Sequence, residues 1–133
     1  MIQSASKRFV HAFSVGLARL MISAIFLWSA YYQLTHFNAM SRYIAVHDVM
    51  LPQVLLMLSI VVQIVGGGSV LLGYHSRKGA LLLIAYLIPV TIIVHPPIVE
   101  DTRQFTEFLK NLAIIGALVQ FSVQGTGPWS IRS

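Results

Sequence analysis

From residue 49 to residue 73 the chain carries no charged side chain, and the stretch 79–99 is equally free of them. Crossing a hydrocarbon core ~30 Å thick takes about 20 predominantly apolar residues in a helix. Inside lipid every backbone N–H and C=O must be satisfied within the chain, which leaves helices or closed barrels as spanning structures. The apolar runs are continuous rather than alternating, and this selects helices.

Two further stretches approach the same length, 16–34 and 110–124. The sequence therefore predicts an all-α membrane protein, a four-transmembrane-helix bundle in a single domain over residues 1–133, with spans at about 16–34, 49–73, 79–99 and 110–124. Composition agrees: only 10% of residues are charged, against about 25% in soluble domains. The first span is preceded by Lys7 and Arg8, as a secretory signal would be. Its exit, "SAYYQLTHF", offers no small-residue cleavage site, so an uncleaved anchor is expected. Upstream of it, Phe9, Val10, Phe13 and Leu17 predict one face of a short interfacial helix.

An even number of spans puts both termini on one side. That side carries Lys7, Arg8, Arg19, Arg77, Lys78 and Arg132, and the opposite side carries Arg42, Arg103 and Lys110 with Asp48, Glu100, Asp101 and Glu107. Basic residues concentrate on the cytoplasmic side of membrane proteins, so both termini are expected in the cytoplasm. Arg19 is expected to snorkel to the headgroups. Lys110 is expected at the outer boundary, at a helix N-terminus where the dipole disfavours a cation, with Asn111 beside it as a cap or an interhelical partner. Stretches 35–48 and 100–107 are expected as outward loops, with Glu100 and Asp101 as solvated charges.

The formal charge of +5 comes from basic residues scattered singly or in pairs. No basic cluster interleaves with aromatics, which excludes a nucleic-acid partner. Cysteine is absent, and with it thiolate metal sites, disulfide relays and iron–sulfur clusters held by the chain's own thiolates. Without a serine, histidine and carboxylate constellation, a standalone hydrolase is not expected.

Polar and small residues recur within the spans at helical spacing: Ser29, Gln33 and His36 in the first, Ser59 and Gln63 beside Gly66 and Gly67 in the second, and Ala113, Gly116, Ala117, Gln120 and Gln124 in the fourth. Small residues let membrane helices approach, and amides bond across them because lipid offers no partner. These faces are expected to meet inside the bundle, either as packing glue or as the wall of a ligand pocket. Such a pocket would open outward, with Gln33, His36, His95 and Lys110 near its mouth. Pro89 removes a backbone donor from the third span and predicts a kink there. His36, His47 and His95 all fall toward the outer face, where imidazoles can ligate metal or a b-type haem; their spacing matches no metal motif.

Four stretches, in order, carry a family likeness. "ARLMISAIFLWSAYYQLTHF" sets an arginine before an apolar run. "VVQIVGGGSVLLGYHSRKGALLL" joins two spans through a short basic turn. "FLKNLAIIGAL" opens the fourth span, and "GTGPWSI" closes the chain. Together they resemble the DoxX family of small four-span integral membrane proteins, over about residues 17–131. The resemblance implies that Arg19, Lys110 and Asn111 occupy recurrent polar positions, and that His95 falls near a histidine common at the end of the third span. It also marks two departures. Gln33 stands where the family usually has a lysine, and Gln63 where it usually has a glutamate. Two amides in place of an ion pair can keep a hydrogen bond between them.

The family is linked with membrane redox chemistry. One group resembles a subunit of thiosulfate:quinone oxidoreductase, and others are described as membrane partners of redox enzymes. The reading is therefore an integral subunit of a redox system in a bacterial cytoplasmic (inner) membrane, at most an accessory subunit of an oxidoreductase. Its partners would be the lipid bilayer and a second protein or another copy of itself. The expected ligand-binding residues are Gln33, His36, Gln63, His95, Lys110 and Asn111. Quinone is the leading cofactor class, ahead of haem or metal. A non-catalytic assembly or anchoring protein is the alternative, with small-solute transport ranked behind it because no inverted repeat or charged midplane site is evident.

Overall fold

The structure, a computed structural model, describes residues 2–47 and 49–125, with the side chains of residues 2 and 3 left out. Asp48, Arg132 and the closing segment after Gly125 therefore lie outside the described residues. The chain forms five helices: α1 (Ile2–Thr35), α2 (Phe37–Ala45), α3 (Pro52–Leu72), α4 (Ser76–Val94) and α5 (Thr102–Gln124). All except α2 are long and apolar enough to cross a membrane. At 1.5 Å per residue, α3 is about 31 Å long and α4 about 28 Å, each matched to one bilayer core.

Packing follows the chain. α1 lies against α3, α3 against α4 and α4 against α5, while α1 and α5 are at most weakly in contact among the described residues. One apolar cluster joins Phe26 of α1, Val70 of α3, Ala80, Leu83 and Leu87 of α4, and Leu118 and Phe121 of α5. A second, smaller cluster joins Ala30, Leu56 and Ile60. Outside these clusters the pattern is that of a lipid-facing protein. Leu, Ile, Val and aromatic side chains such as Met21, Ile25, Met57, Val61 and Ile92 stand exposed, whereas Ser23, Ser59, Gln63, Ser76 and Thr91 are buried. An apolar surface this continuous is untenable in water and ordinary in a bilayer. Trp28, Tyr31 and Tyr32 gather exposed near one end of α1, in the manner of an interfacial aromatic belt.

Three local features depart from expectation. The interfacial segment and the first span are one uninterrupted helix, because nothing between Phe9 and Gly16 breaks the helical hydrogen bonding. The stretch expected as the first outward loop contains α2. This amphipathic helix lays Phe37, Met40 and Ile44 on the second cluster, and Ser41 is buried beneath it. At the other connection α5 starts at Thr102, eight residues before the expected span. Asp101 is its N-cap, its side chain accepting from the Gln104 N–H at 3.2 Å, rather than a free loop charge. Lys110 therefore lies more than two turns inside the helix and Asn111 caps nothing.

The helix ends have readable causes. α3 begins with Pro52 in its first turn, where a missing N–H costs nothing. It ends at Gly73, whose φ of 70° only glycine adopts without strain. The N–H groups of Gly73 and Tyr74 both turn back to the Ser69 carbonyl, closing a Schellman-type cap. α4 runs through Pro89 without a break and stops before Pro96 and Pro97, which disfavour helical geometry in the preceding residue. Glycines set the α3–α4 spacing: a Cβ on Gly66 would lie 2.6 Å from Leu83 Cγ, and one on Gly79 would lie 2.6 Å from the Ser69 side chain.

Candidate ligand-binding site

α1, α3 and α4 each bring polar side chains to one place in the half of the bundle nearer α2. Ser59 and Gln63 sit one turn apart on the buried face of α3. Gln33 comes from the last turns of α1, and Tyr86 from the middle of α4. Gln63 Nε2 donates to Gln33 Oε1 at 2.9 Å, joining α3 to α1. Ser59 Oγ donates to the same oxygen at 3.1 Å. That use of its proton makes Ser59 Oγ an acceptor for the Tyr86 hydroxyl, 2.6 Å away. Gln63 Nε2 also reaches Ser59 Oγ at 3.1 Å and the Ser59 carbonyl at 3.2 Å.

The node is polarised. Donors from Tyr86, Ser59 and Gln63 all run toward Gln33 Oε1, which accepts twice. Gln33 also makes a side-chain hydrogen bond with Tyr86, so its amide joins all three other members. Gln63 Oε1 has no hydrogen-bond partner among the described residues. One free acceptor thus remains beside three interlocked helices. Gln63 is only 2% exposed, and Gln33 is half-buried, the more accessible of the two amides.

Of the six residues expected to bind a ligand, the structure brings Gln33 and Gln63 together and sets the other four apart. His36 is exposed, stacks on Tyr32 with ring centroids 4.2 Å apart, and bonds through Nδ1 to the Tyr32 carbonyl and the Thr35 hydroxyl. His95 caps α4, and its Nδ1 lies 3.2 Å from Gln104 Oε1 while Gln104 Nε2 donates to the Val94 carbonyl at 2.7 Å. That pair closes the α4–α5 hairpin. Lys110 is exposed and pairs with Glu107 at 3.5 Å along its own helix; Asn111 next to it is half-buried and not part of the node. His47 bonds to the Tyr43 carbonyl on α2. Among the described residues no three histidines or carboxylates gather as a metal site.

Two residues carry more than sequence reasoning assigned them. Tyr86 was not singled out, although a tyrosine in an uncharged span must find a partner for its hydroxyl, and its register with Gly79 and Leu83 puts it on the packed side of α4. Arg19, expected to snorkel, is buried at 7% exposure. Its Nη2 donates to the Leu71 carbonyl at 2.9 Å. The C-terminal turn of α3 presents unsatisfied carbonyls and the negative end of the helix dipole, so a guanidinium has a better partner there than the headgroups. In the opposite sense, Gln120 and Gln124 do not enter the bundle. They are exposed on α5 together with Ala113 and Gly116.

Comparison with known proteins covers this region. Inner membrane protein YqjF of Escherichia coli (strain K12) is 26% identical over 117 residues, 88% of this chain and 88% of that protein. No solved structure matches. The DoxX family profile matches residues 14–96, from just before Arg19 to just past His95, and so includes every member of the Gln33–Ser59–Gln63–Tyr86 node. With more than half of its length matched, and four helices fit to span a bilayer around that node, the chain belongs to the DoxX family of membrane proteins.

Proposed function

We propose that this protein is an integral inner-membrane subunit of a redox system, and that its node of amides and hydroxyls holds the head of a quinone. The observation that carries the reading is the Gln33 amide, half-buried at membrane depth and joined to Ser59, Gln63 and Tyr86. An amide nitrogen carries two donor hydrogens, so Gln33 Nε2 can serve a quinone carbonyl, an acceptor that reaches this depth from within the lipid. The neighbouring Gln63 Oε1 would accept from the hydroxyl of the reduced form. The isoprenoid tail would stay among the lipid-facing Leu, Ile and Val side chains. The chain's part is to bind and orient, and electron transfer belongs to a partner. With both termini in the cytoplasm, as the distribution of basic residues leads us to expect, the node would lie in the outer half of the membrane.

Purified protein in lipid nanodiscs, titrated with a short-tailed benzoquinone or naphthoquinone, tests this. Wild type and His95→Ala should bind alike, and Gln33→Leu should bind about tenfold more weakly, the loss expected for one hydrogen bond of ~1.4 kcal/mol. Saturable binding unaffected by Gln33→Leu would refute the assignment of the site.

A second reading, an assembly or anchoring protein, is favoured by the outward face of α5. Gly116 has nothing within 4 Å of where a Cβ would stand, and Gln120 beside it is exposed. Lipid-facing amides and small residues suit contact with another transmembrane helix. Cysteine placed at residue 120 and cross-linked in native membranes should trap a second chain if that reading holds, and lipid-only labelling would dismiss it.

A further inference from the structure

The end of the bundle away from the node carries a feature that the proposed function does not use. On the lipid-facing side of α3 and α4 a groove of about 340 Å³ is lined by Val65, Gly68, Leu72 and Leu82, with Tyr74, His75 and Lys78 at its end. It has a covalent cause. Gly66 and Gly79 let the two helices close on their inner sides, while the missing side chain of Gly68 leaves open space on the outer side. Val65, Leu72 and Leu82 remain exposed along it, so the wall is apolar and faces acyl chains rather than water.

Charge decides the occupant. Lys78 stands exposed at the polar end of the groove in the first turn of α4, whose N-terminus no side chain caps. Arg77 adjoins it, and Arg19 lies behind on the C-terminal turn of α3. Among the described residues the carboxylates, Glu100, Asp101 and Glu107, all lie at or near the α4–α5 connection, at the far end of α4. An apolar trough ending in positive charge, next to the positive end of a helix dipole, complements a molecule with a fatty tail and an anionic head.

We propose that this groove is a binding site for an anionic phospholipid, its acyl chain lying over Gly68 between Val65, Leu72 and Leu82 and its phosphate held by Lys78 and the first turn of α4. The site is independent of the quinone reading and stands or falls without it.

Native mass spectrometry of the full-length protein, titrated in detergent with phosphatidylglycerol and phosphatidylcholine bearing identical chains, tests the proposal. Wild type should retain one phosphatidylglycerol in preference to phosphatidylcholine, and excess inorganic phosphate should not displace it. Lys78→Ala should reduce that preference about fivefold, the effect expected of one lysine at an anionic surface, and Lys78→Arg should keep it. A Cβ at residue 68 meets open space, so Gly68→Leu should fold normally by circular dichroism, fill the trough and lose both lipids. Equal retention of the two lipids by wild type would overturn the proposal, as would unchanged phosphatidylglycerol binding in both Lys78→Ala and Gly68→Leu. Cross-linking of a cysteine at residue 82 to another protein chain in native membranes would also overturn it, because the groove would then be a protein interface.

Discussion

Exchanging the two amides of the node for charges probes its geometry most directly. Gln63 is 2% exposed and its Nε2 lies 2.9 Å from Gln33 Oε1. Gln63→Glu removes the donor that Gln33 Oε1 and the Ser59 carbonyl both use, and buries a carboxylate facing them. An uncompensated buried charge costs roughly 3 kcal/mol or more. Gln33→Lys is milder, about 1–2 kcal/mol, because residue 33 is half-buried near the end of α1 and a lysine stem can extend toward the interface. If the sites were independent, the double variant would lose about 4–5 kcal/mol by simple addition. Contact changes the sum. The ammonium and carboxylate would meet where the amides now bond, Ser59 and Tyr86 would supply hydrogen bonds to the carboxylate, and the double variant should lose only ~1–2 kcal/mol. The coupling is therefore about 3 kcal/mol.

Reversible unfolding in mixed micelles, titrated with sodium dodecyl sulfate and followed by far-ultraviolet circular dichroism, gives all four corners of the cycle. A double variant whose loss equals the sum of the singles to within about 0.5 kcal/mol would refute the Gln33–Gln63 contact. The same exchange puts in place the lysine and glutamate that the family resemblance leads one to expect at these positions, so recovery would show the two solutions to be interchangeable in one fold.

Glycines divide sharply: Gly66→Ala drives a Cβ to 2.6 Å from Leu83 Cγ and should cost ~1–3 kcal/mol in the same unfolding assay, whereas Gly116→Ala meets open space and should be neutral or stabilising by up to about 1 kcal/mol. Gly73→Ala forces a side chain into a φ of 70° and should cost about 1–2 kcal/mol. Arg19→Met deletes the bond to the Leu71 carbonyl and should cost ~1.5–3 kcal/mol, the range for hydrogen bonds to charged groups, with faster hydrogen exchange in the last turn of α3. Gln104→Ala breaks its contacts to His95 and the Val94 carbonyl; exchange should quicken across residues 94–104 while the Gln33 node stays protected.

What a single sequence made legible here is governed by local periodicity. The uncharged runs around α3 and α4 announce themselves, since hydrocarbon tolerates nothing else of that length. The i, i+4 spacing of Ser59 and Gln63 beside Gly66 and Gly67 marked the buried face of α3 correctly. The same logic failed on α5, where Gln120 and Gln124 share a face with Gly116 and that face points outward. Periodicity identifies a distinct face but not its neighbour, and in lipid an amide face turned toward another chain looks the same as one turned inward. Arg19 was misplaced for a related reason: snorkelling assumes that the best partner is the headgroup layer, and the carbonyls at the end of α3 are nearer. The start of α5 was missed because hydropathy rises only at Lys110, while the helix is set by the Asp101 cap two turns earlier.

The two ends of the bundle are held by different physics, and that difference bears on where a ligand can act. At the Arg19 end, α3 and α4 meet through Gly66 and Gly79 at near-backbone distance, and Arg19 ties α1 to the end of α3. Such contacts have one low-energy arrangement, because neither a glycine nor a helix carbonyl can adjust its reach. Toward α2, the helices meet through Gln33, Ser59, Gln63 and Tyr86, side chains with rotatable bonds and reversible donor and acceptor roles. An amide that turns over exchanges donor for acceptor without moving a backbone. A ligand that recruits Gln33 Nε2 or Gln63 Oε1 therefore re-sorts the hydrogen bonds of three helices at once, while the glycine-packed end serves as the fixed base. On the quinone reading proposed above, the adaptable half would be the one to register a bound molecule.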